Sequence, residues 1–324
     1  MHRRQLLKLL SVATLAASNP RIALAQAFPR KPITLLVGGG AGSNPDVIAR
    51  LVAERLSARL GQAVVIDNKP GAGGIAAMST LANAAPDGHT IALATMGQVV
   101  FNSYLFAKLP YDPQRDLEPV TPFVTGAMVL AAHPSFPANS LPELVALARK
   151  RSEPFFLATP ALGSPPHIFG LLLMRAAGIE VSTVPYKTGA DSMRAAVTGE
   201  IPLLIDGPVG IAPLVNAGKL KALAVTGRVR EPALPATPTA RESGIDAQGE
   251  AWIGIVAPVG TPKAIIEQLN REIAAVMAAP EMREQIAQRG LHVLVSTPED
   301  FRAQIRSDHA TWGPLIRSAA LKLD

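Results

Sequence analysis

Val37-Gly38-Gly39-Gly40-Ala41-Gly42-Ser43-Asn44-Pro45-Asp46 closes an apolar run, passes through four glycines and opens a helical pattern. The run before it, Pro32-Ile33-Thr34-Leu35-Leu36-Val37, has the composition of a buried strand. After it, Val47, Leu51, Val52, Leu56 and Leu60 fall on one helical stripe. Ser43 or Asn44 suits the N-cap, Pro45 the first helical position and Asp46 the first turn. The free amides of such a turn carry partial positive charge and hold an anion without a basic side chain. Ordinary capping, with Asp46 paired to Arg50 one turn on, is the competing local reading. A dinucleotide site competes too, but the glycine spacing is irregular.

The same rhythm continues outward. Residues 63–66 and 90–94 read as strands and 76–84 as a helix, so the first unit is β-α-β-α-β. A second unit starts near Val124. Strands are predicted at 126–132, 155–159, 181–185 and 203–205, alternating with helices at 141–150, 167–177 and 190–198. Residues 231–244, rich in Pro, Thr and Gly, read as a long surface connection. The chain resumes with a strand at 252–257, and amphipathic helices at 262–278 and 298–318 return to complete the first unit. The predicted fold is α/β with two lobes, each a mainly parallel sheet flanked by helices.

An export-type leader is expected at residues 1–25. Met1-His2-Arg3-Arg4-Gln5-Leu6-Leu7-Lys8 is basic, residues 9–17 are apolar and small, and Ala23-Leu24-Ala25 has the A-x-A cleavage pattern. Ser18-Asn19-Pro20-Arg21 breaks the apolar stretch too early for a membrane anchor. Arg3-Arg4 also fits a twin-arginine signal, and the choice between that route and Sec stays open. Loss of Arg3, Arg4, Lys8 and Arg21 with the leader brings the net charge of +6 close to balance. The high pI therefore gives no support for nucleic acid or a membrane surface as partner. The absence of cysteine excludes disulfides, thiolate metal sites, a Cys nucleophile and lipidation after the leader.

Three further places invite chemistry. Asn68-Lys69-Pro70-Gly71-Ala72-Gly73-Gly74 is a second glycine loop after a strand, read as structural. Ala161-Leu162-Gly163-Ser164-Pro165-Pro166-His167 is a third strand-to-helix loop, where Ser164 can cap and the loop amides can face a ligand. His167 reads as a capping or packing histidine. Asp206 follows the apolar run 203–205 at a strand's carboxyl end, where open α/β sheets bind ligands; a solvated turn is its ordinary alternative. There is no G-x-S-x-G, no H-E-x-x-H, no Walker lysine and no histidine pair at metal-ligand spacing. No cofactor or metal is expected, though a Ser-His-Asp set assembled in space stays open.

Taken in order, several segments resemble the Bug receptors, the periplasmic binding proteins of tripartite tricarboxylate transporters. They are Pro29-Arg30-Lys31-Pro32-Ile33, Asp46-Val47-Ile48-Ala49-Arg50, residues 68–74, Leu109-Pro110-Tyr111-Asp112-Pro113, Gly163-Ser164-Pro165-Pro166-His167, Val184-Pro185-Tyr186-Lys187, residues 234–239 and Trp252-Ile253-Gly254 with residues 257–262. The resemblance implies a type II-like binding protein that closes like a trap, with lobes of residues 26–124 plus 246–324 and of 125–245. It implies a carboxylate ligand held by backbone amides and bridging waters at Gly42, Ser43, Asn44 and Asp46, with Gly163, Ser164 and Asp206 across the cleft and Thr95 facing the ligand. One departure stands out: the family's aromatic position is Gly39 here and its second glycine is Ser43. That change is expected to widen the pocket or remove a stacking surface, and to add a hydroxyl donor.

The expected function is a periplasmic receptor that delivers a small organic acid to a membrane permease or a sensor. It is expected to act as a monomer, without nucleic acid and without enzymatic activity. An exported hydrolase or isomerase with His167 as base remains the rival, and a ligand sensor for a membrane signalling protein is the third reading.

Overall fold

The computed structural model describes residues 28–318 together with 322 and 323. The leader predicted at 1–25 lies outside the described residues.

The decisive stretch folds as read. Strand β1 (Ile33–Val37) leads through the glycines into α1 (Asn44–Leu60), and β2 (Val64–Asn68) pairs parallel to β1. A short 3₁₀ turn and α2 (Ile75–Ala82) return the chain to β3 (Thr90–Thr95), parallel on the other side of β1. The apolar face of α1 is centred on Ile48, Val52 and Leu56 with Ala49 and Ala53, while Leu51 and Leu60 lie at its edge. Gly61 ends the helix at φ +66°, where only glycine is free of strain, and its N–H caps the Ser57 carbonyl at 3.0 Å.

A π-turn (Gly97–Phe101) and a single α-turn, α3 (Asn102–Leu105), follow β3. Next comes β4 (Leu117–Ala127), whose first half breaks the expected strand pattern with Pro119 and Pro122. Proline cannot donate to a ladder and is confined to edges and bulges. Both prolines fall where the pairing with a later strand shifts register, so the missing donors cost little.

The second sheet holds β5 (Val129–Ala132), β6 (Phe155–Thr159), β7 (Val181–Pro185), β8 (Leu203–Asp206) and β9 (Lys221–Val225), in the order β7-β6-β8-β5-β9. Helices α4 (Leu141–Ala148), α5 (Pro165–Ala176), α6 (Gly189–Val197) and α7 (Pro208–Asn216) connect them. The chain then returns as β10 (Glu250–Pro258), α8 (Lys263–Ala278), α9 (Pro280–Ala287), β11 (His292–Val293) and α10 (Pro298–Ser318). The first sheet is β11-β4-β10-β3-β1-β2. The two-lobed α/β architecture is thus as expected. The sheets, however, are mixed and not mainly parallel: β10 runs antiparallel to both β3 and β4, and β5 runs antiparallel to both β8 and β9. The reason is that β4 and β10 are the strands by which the chain leaves and re-enters the first sheet, so they run in opposite senses.

The crossing points are stitched. Ala127 donates its N–H to Glu231 Oε1 at 3.0 Å, and Met128 donates to Thr226 Oγ1 at 2.9 Å. Residues 231–244 are therefore not a surface excursion, since Glu231, Leu234, Thr237, Thr239 and Ala240 are buried. One apolar cluster lies between the first sheet and the α1/α8 pair, and another runs through both lobes. Phe101, Phe169 and Trp312 pack edge to face within it, with Phe169 and Trp312 5.0 Å apart, joining the π-turn, α5 and α10.

Candidate functional site

Four helices begin at one cleft. The N-caps Ser43 of α1, Ser164 of α5, Thr188 of α6 and Gly207 of α7 all line the space between the lobes. That space, including its open mouth, measures about 980 Å³. Each helix follows a strand that ends at the cleft, so the alternation of strand, loop and helix read from the sequence aims all four starts at the same point. Helix starts expose unsatisfied N–H groups and the positive end of the dipole. The cleft is therefore positive without a cluster of cations; Lys187, exposed at its rim, is the single Lys or Arg among the described lining residues.

The first loop is organised from behind by Asp46, which is 2% exposed. Its carboxylate accepts from the Gly42 amide at 2.9 Å, from Arg50 through two bonds of 3.0 Å and from Asn68 Nδ2 at 2.9 Å. Burial alone would raise its pKa; the hydrogen bonds from Arg50, Gly42 and Asn68 outweigh that and hold the carboxyl below its ordinary range. Gly42 (φ +77°) and Asp46 thus bond to each other and do not line the cleft, and the Arg50 pairing weighed for Asp46 is what forms. The Ser43 amide is also spent, on Gly40 at 3.1 Å. The amides of Asn44 and Asp46 at the start of α1 have no acceptor among the described residues.

Ser43, Asn44, Thr95, Ser164 and Asp206 do line the cleft. The Ser43 hydroxyl is buried without a hydrogen-bond partner. A Cβ on Gly39 would fall 2.4 Å from that oxygen. The Ser43 side chain therefore occupies the room of a side chain at position 39, and the expected widening is offset by this hydroxyl. Across the cleft Asp206, 3% exposed, accepts at Oδ1 from Asn44 Nδ2 (2.8 Å) and from the Gly207 amide (2.7 Å). Its Oδ2 is buried and unpartnered. Burial pushes its pKa up to about 7, against the pull of the Gly207 and Asn44 donors. Asp206 is a buried acid on a cleft wall and not a solvated turn residue.

The third loop offers less than expected. Gly163 (φ +76°) packs towards Asn102 and Leu105 and does not line the cleft, and its amide donates to His167 Nδ1 at 3.2 Å. The Ser164 amide bonds to Ala161, and Pro165 and Pro166 have no N–H to give. Burial pushes the His167 pKa down to about 4, so the ring is neutral and its Nδ1 is already an acceptor.

Sequence reading missed Gln98, Thr188 and Trp252 as cleft residues. Gln98 lies in the π-turn, a distortion that often marks functional positions. Its Oε1 accepts from the Thr95 amide (2.7 Å) and hydroxyl (3.2 Å), and its amide nitrogen lies over Gly38 and Gly74. A Cβ on either glycine would meet that nitrogen at 2.2 or 2.0 Å, which is why small residues flank it. The sequence marks Lys187 only as part of a motif. No hydrophobic period announces a π-turn, so Gln98 had no signal; Thr188, three residues before Asp191, had the spacing of a cap.

The family model described as "Tripartite tricarboxylate transporter family receptor" matches residues 48–321. A UPF0065 protein of Bordetella bronchiseptica is 34% identical over 314 residues, covering 97% of this chain and 93% of that protein. The solved periplasmic binding protein BugD is 33% identical with a TM-score of 0.87, over 91% of this chain and 100% of that one. Rpa4515 of R. palustris, solved with adipate, is 32% identical with a TM-score of 0.89, over 92% of this chain and 100% of that one.

Proposed function

Because the chain belongs to the tripartite tricarboxylate transporter family of receptors, we propose that it captures a small organic acid in the cleft between its lobes. The observation that carries this reading is the convergence of four helix N-termini on one cleft. A carboxylate entering there meets the free α1 amide of Asn44, the unpartnered Ser43 hydroxyl and the starts of α6 and α7. Water can bridge where direct bonds do not reach. Asp206 closes the site from the second lobe, and the adipate complex of Rpa4515 supports a carboxylate as the ligand class.

In this reading the protein works in the periplasm after removal of its leader and passes the ligand to the transporter's permease or to a sensor. The lobes comprise 26–124 plus 246–324 and 125–245, and they open about the stitched crossings at Ala127 and Thr226. It acts as a monomer and performs no chemistry. His167 is a poor base for a nucleophile, being buried, neutral and already bonded to Gly163.

Ligand that binds only the folded state raises the melting temperature by mass action, by about 2.7 kcal/mol of stability at 100 times Kd. A thermal-shift panel of aliphatic and aromatic carboxylates at millimolar concentration should contain at least one that raises Tm by several degrees. A panel with no shift at all defeats the proposal.

A further inference from the structure

Resting on the carboxylate reading, we propose that the ligand is a monocarboxylate with an apolar body, and that a second carboxylate is selected against. The polar groups of the cleft gather at one end. Gly40 faces Thr188, Asn44 bonds Asp206, and Gly189 adjoins Asp206 Oδ2, so the α1, α6 and α7 starts form a single cluster. Lys187 precedes Thr188 and belongs to that same end.

The remaining wall is apolar, lined by Val124, Met128, Val209, Trp252, Ile253 and Leu291, of which Val209 and Ile253 are the half-buried ones. It presents no charge. The Trp252 indole N–H is turned away to Asp308 Oδ2 at 2.7 Å. The Ala127 and Met128 amides are spent on Glu231 Oε1 and Thr226 Oγ1. Gly126 leaves no gap for water beside this wall, because Leu291 Cδ2 sits 2.4 Å from where its Cβ would be.

The fourth helix start, α5, was the natural place for a second carboxylate, and it has one free helical amide, His167, where α1 has two. Its Gly163 and Ser164 amides are bonded internally and its next two residues are prolines. Gln98 Nε2 remains as a neutral side-chain donor at that side, while the Ser164 hydroxyl donates to the Pro160 carbonyl at 3.5 Å. An ionised group placed against the β4–β10 wall would be desolvated without a partner, whereas an alkyl chain or ring gains from burial there.

Calorimetric titration of the protein with hexanoate, 3-phenylpropanoate, adipate and malate tests this. Hexanoate and adipate share a six-carbon chain and differ at the far end alone. The expected result is that hexanoate or 3-phenylpropanoate binds at least tenfold more tightly than adipate, about 1.4 kcal/mol. Adipate or malate binding as tightly as both monocarboxylates overturns the inference and leaves the carboxylate reading standing. Binding by none of the four, with a thermal-shift panel also blank, removes the carboxylate reading itself. Ile253→Lys supplies a cation on the apolar wall, and its fold is checked by circular dichroism. In that variant the hexanoate-to-adipate ratio should fall at least tenfold; an unchanged ratio in the folded variant takes this wall out of the site and overturns the inference. The comparison on the unmodified protein decides the matter alone if the variant does not fold.

Discussion

Asp206 carries the sharpest consequence at the scale of single residues. Its folded pKa of about 7 lies above the ordinary 3.8, so between those values the folded state binds more protons than the unfolded one. Its contribution to stability is therefore fullest at low pH and declines as pH rises through that window. The same proton serves the ligand. Below 7 the protonated carboxyl can donate from Oδ2 to an incoming carboxylate; above 7 two like charges face each other. Affinity should weaken with rising pH, by up to about tenfold per unit above 7 if one proton is taken up on binding. Calorimetry from pH 5.5 to 8.5 reads this, and Asp206→Asn should flatten the profile. Asp206 was legible because it ends an apolar run at a strand's carboxyl end. Gly42, Asp46 and Gly163 were legible as loop residues, but motif spacing cannot say which side of a loop faces the ligand. Three-dimensional pairing of Asp46 with Gly42, Arg50 and Asn68 decides that, and it depends on β2, a separate element.

Elements show where periodicity succeeds and where it fails. Helix α8 was expected at 262–278 and is Lys263–Ala278, and α10 agrees at both ends, because both alternate apolar and polar faces over several turns. The first half of β4 was missed because Pro119 and Pro122 deny the usual strand signature; bulges opposite β10 make them tolerable. Helix α7 was missed because Pro208, Gly210 and Pro213 weaken its pattern, although the first proline lies at the first turn, where no N–H is needed. Helix α6 is the start with the fewest substitutes. Thr188 Oγ1 accepts from the Asp191 amide at 3.2 Å and donates to Asp191 Oδ2 at 2.7 Å. Thr188→Ala should cost about 1 kcal/mol in urea unfolding. Because this cap lines the cleft, carboxylate affinity should fall in the same variant, while a capped helix remote from the cleft, such as α4 with Ser140→Ala, should lose stability alone.

At the scale of the whole molecule, the lobes are drawn together by a bond that belongs to both. Asn44 sits on the first lobe and Asp206 on the second, and the 2.8 Å bond between them spans the cleft. A hydrogen bond to a charged or ionisable partner contributes about 1.5–3 kcal/mol. Asn44→Ala should therefore shift the molecule towards an open form, seen as a larger radius of gyration in solution scattering without ligand, and saturating ligand should restore part of the compaction. Equal scattering curves for the variant and the parent protein would show that other contacts hold the closure. The aromatic trio of Phe101, Phe169 and Trp312 spans the lobes elsewhere.

The chain has two tryptophans, and both lie at the lobe boundary: Trp312 in that trio and Trp252 on the cleft wall, with its indole N–H bound to Asp308. Burial pushes the Asp308 pKa up to about 6, so a titratable acid sits on the indole of a cleft residue. The molecule thus contains its own optical probe. Trp252 is buried, edge to face on Phe301 at 4.9 Å, so a ligand that alters the packing at this boundary should change its emission, with no dye attached and no residue altered. Mildly acidic buffer would change the same signal through Asp308, so a spectroscopist would read occupancy above pH 7 and the state of that acid below it.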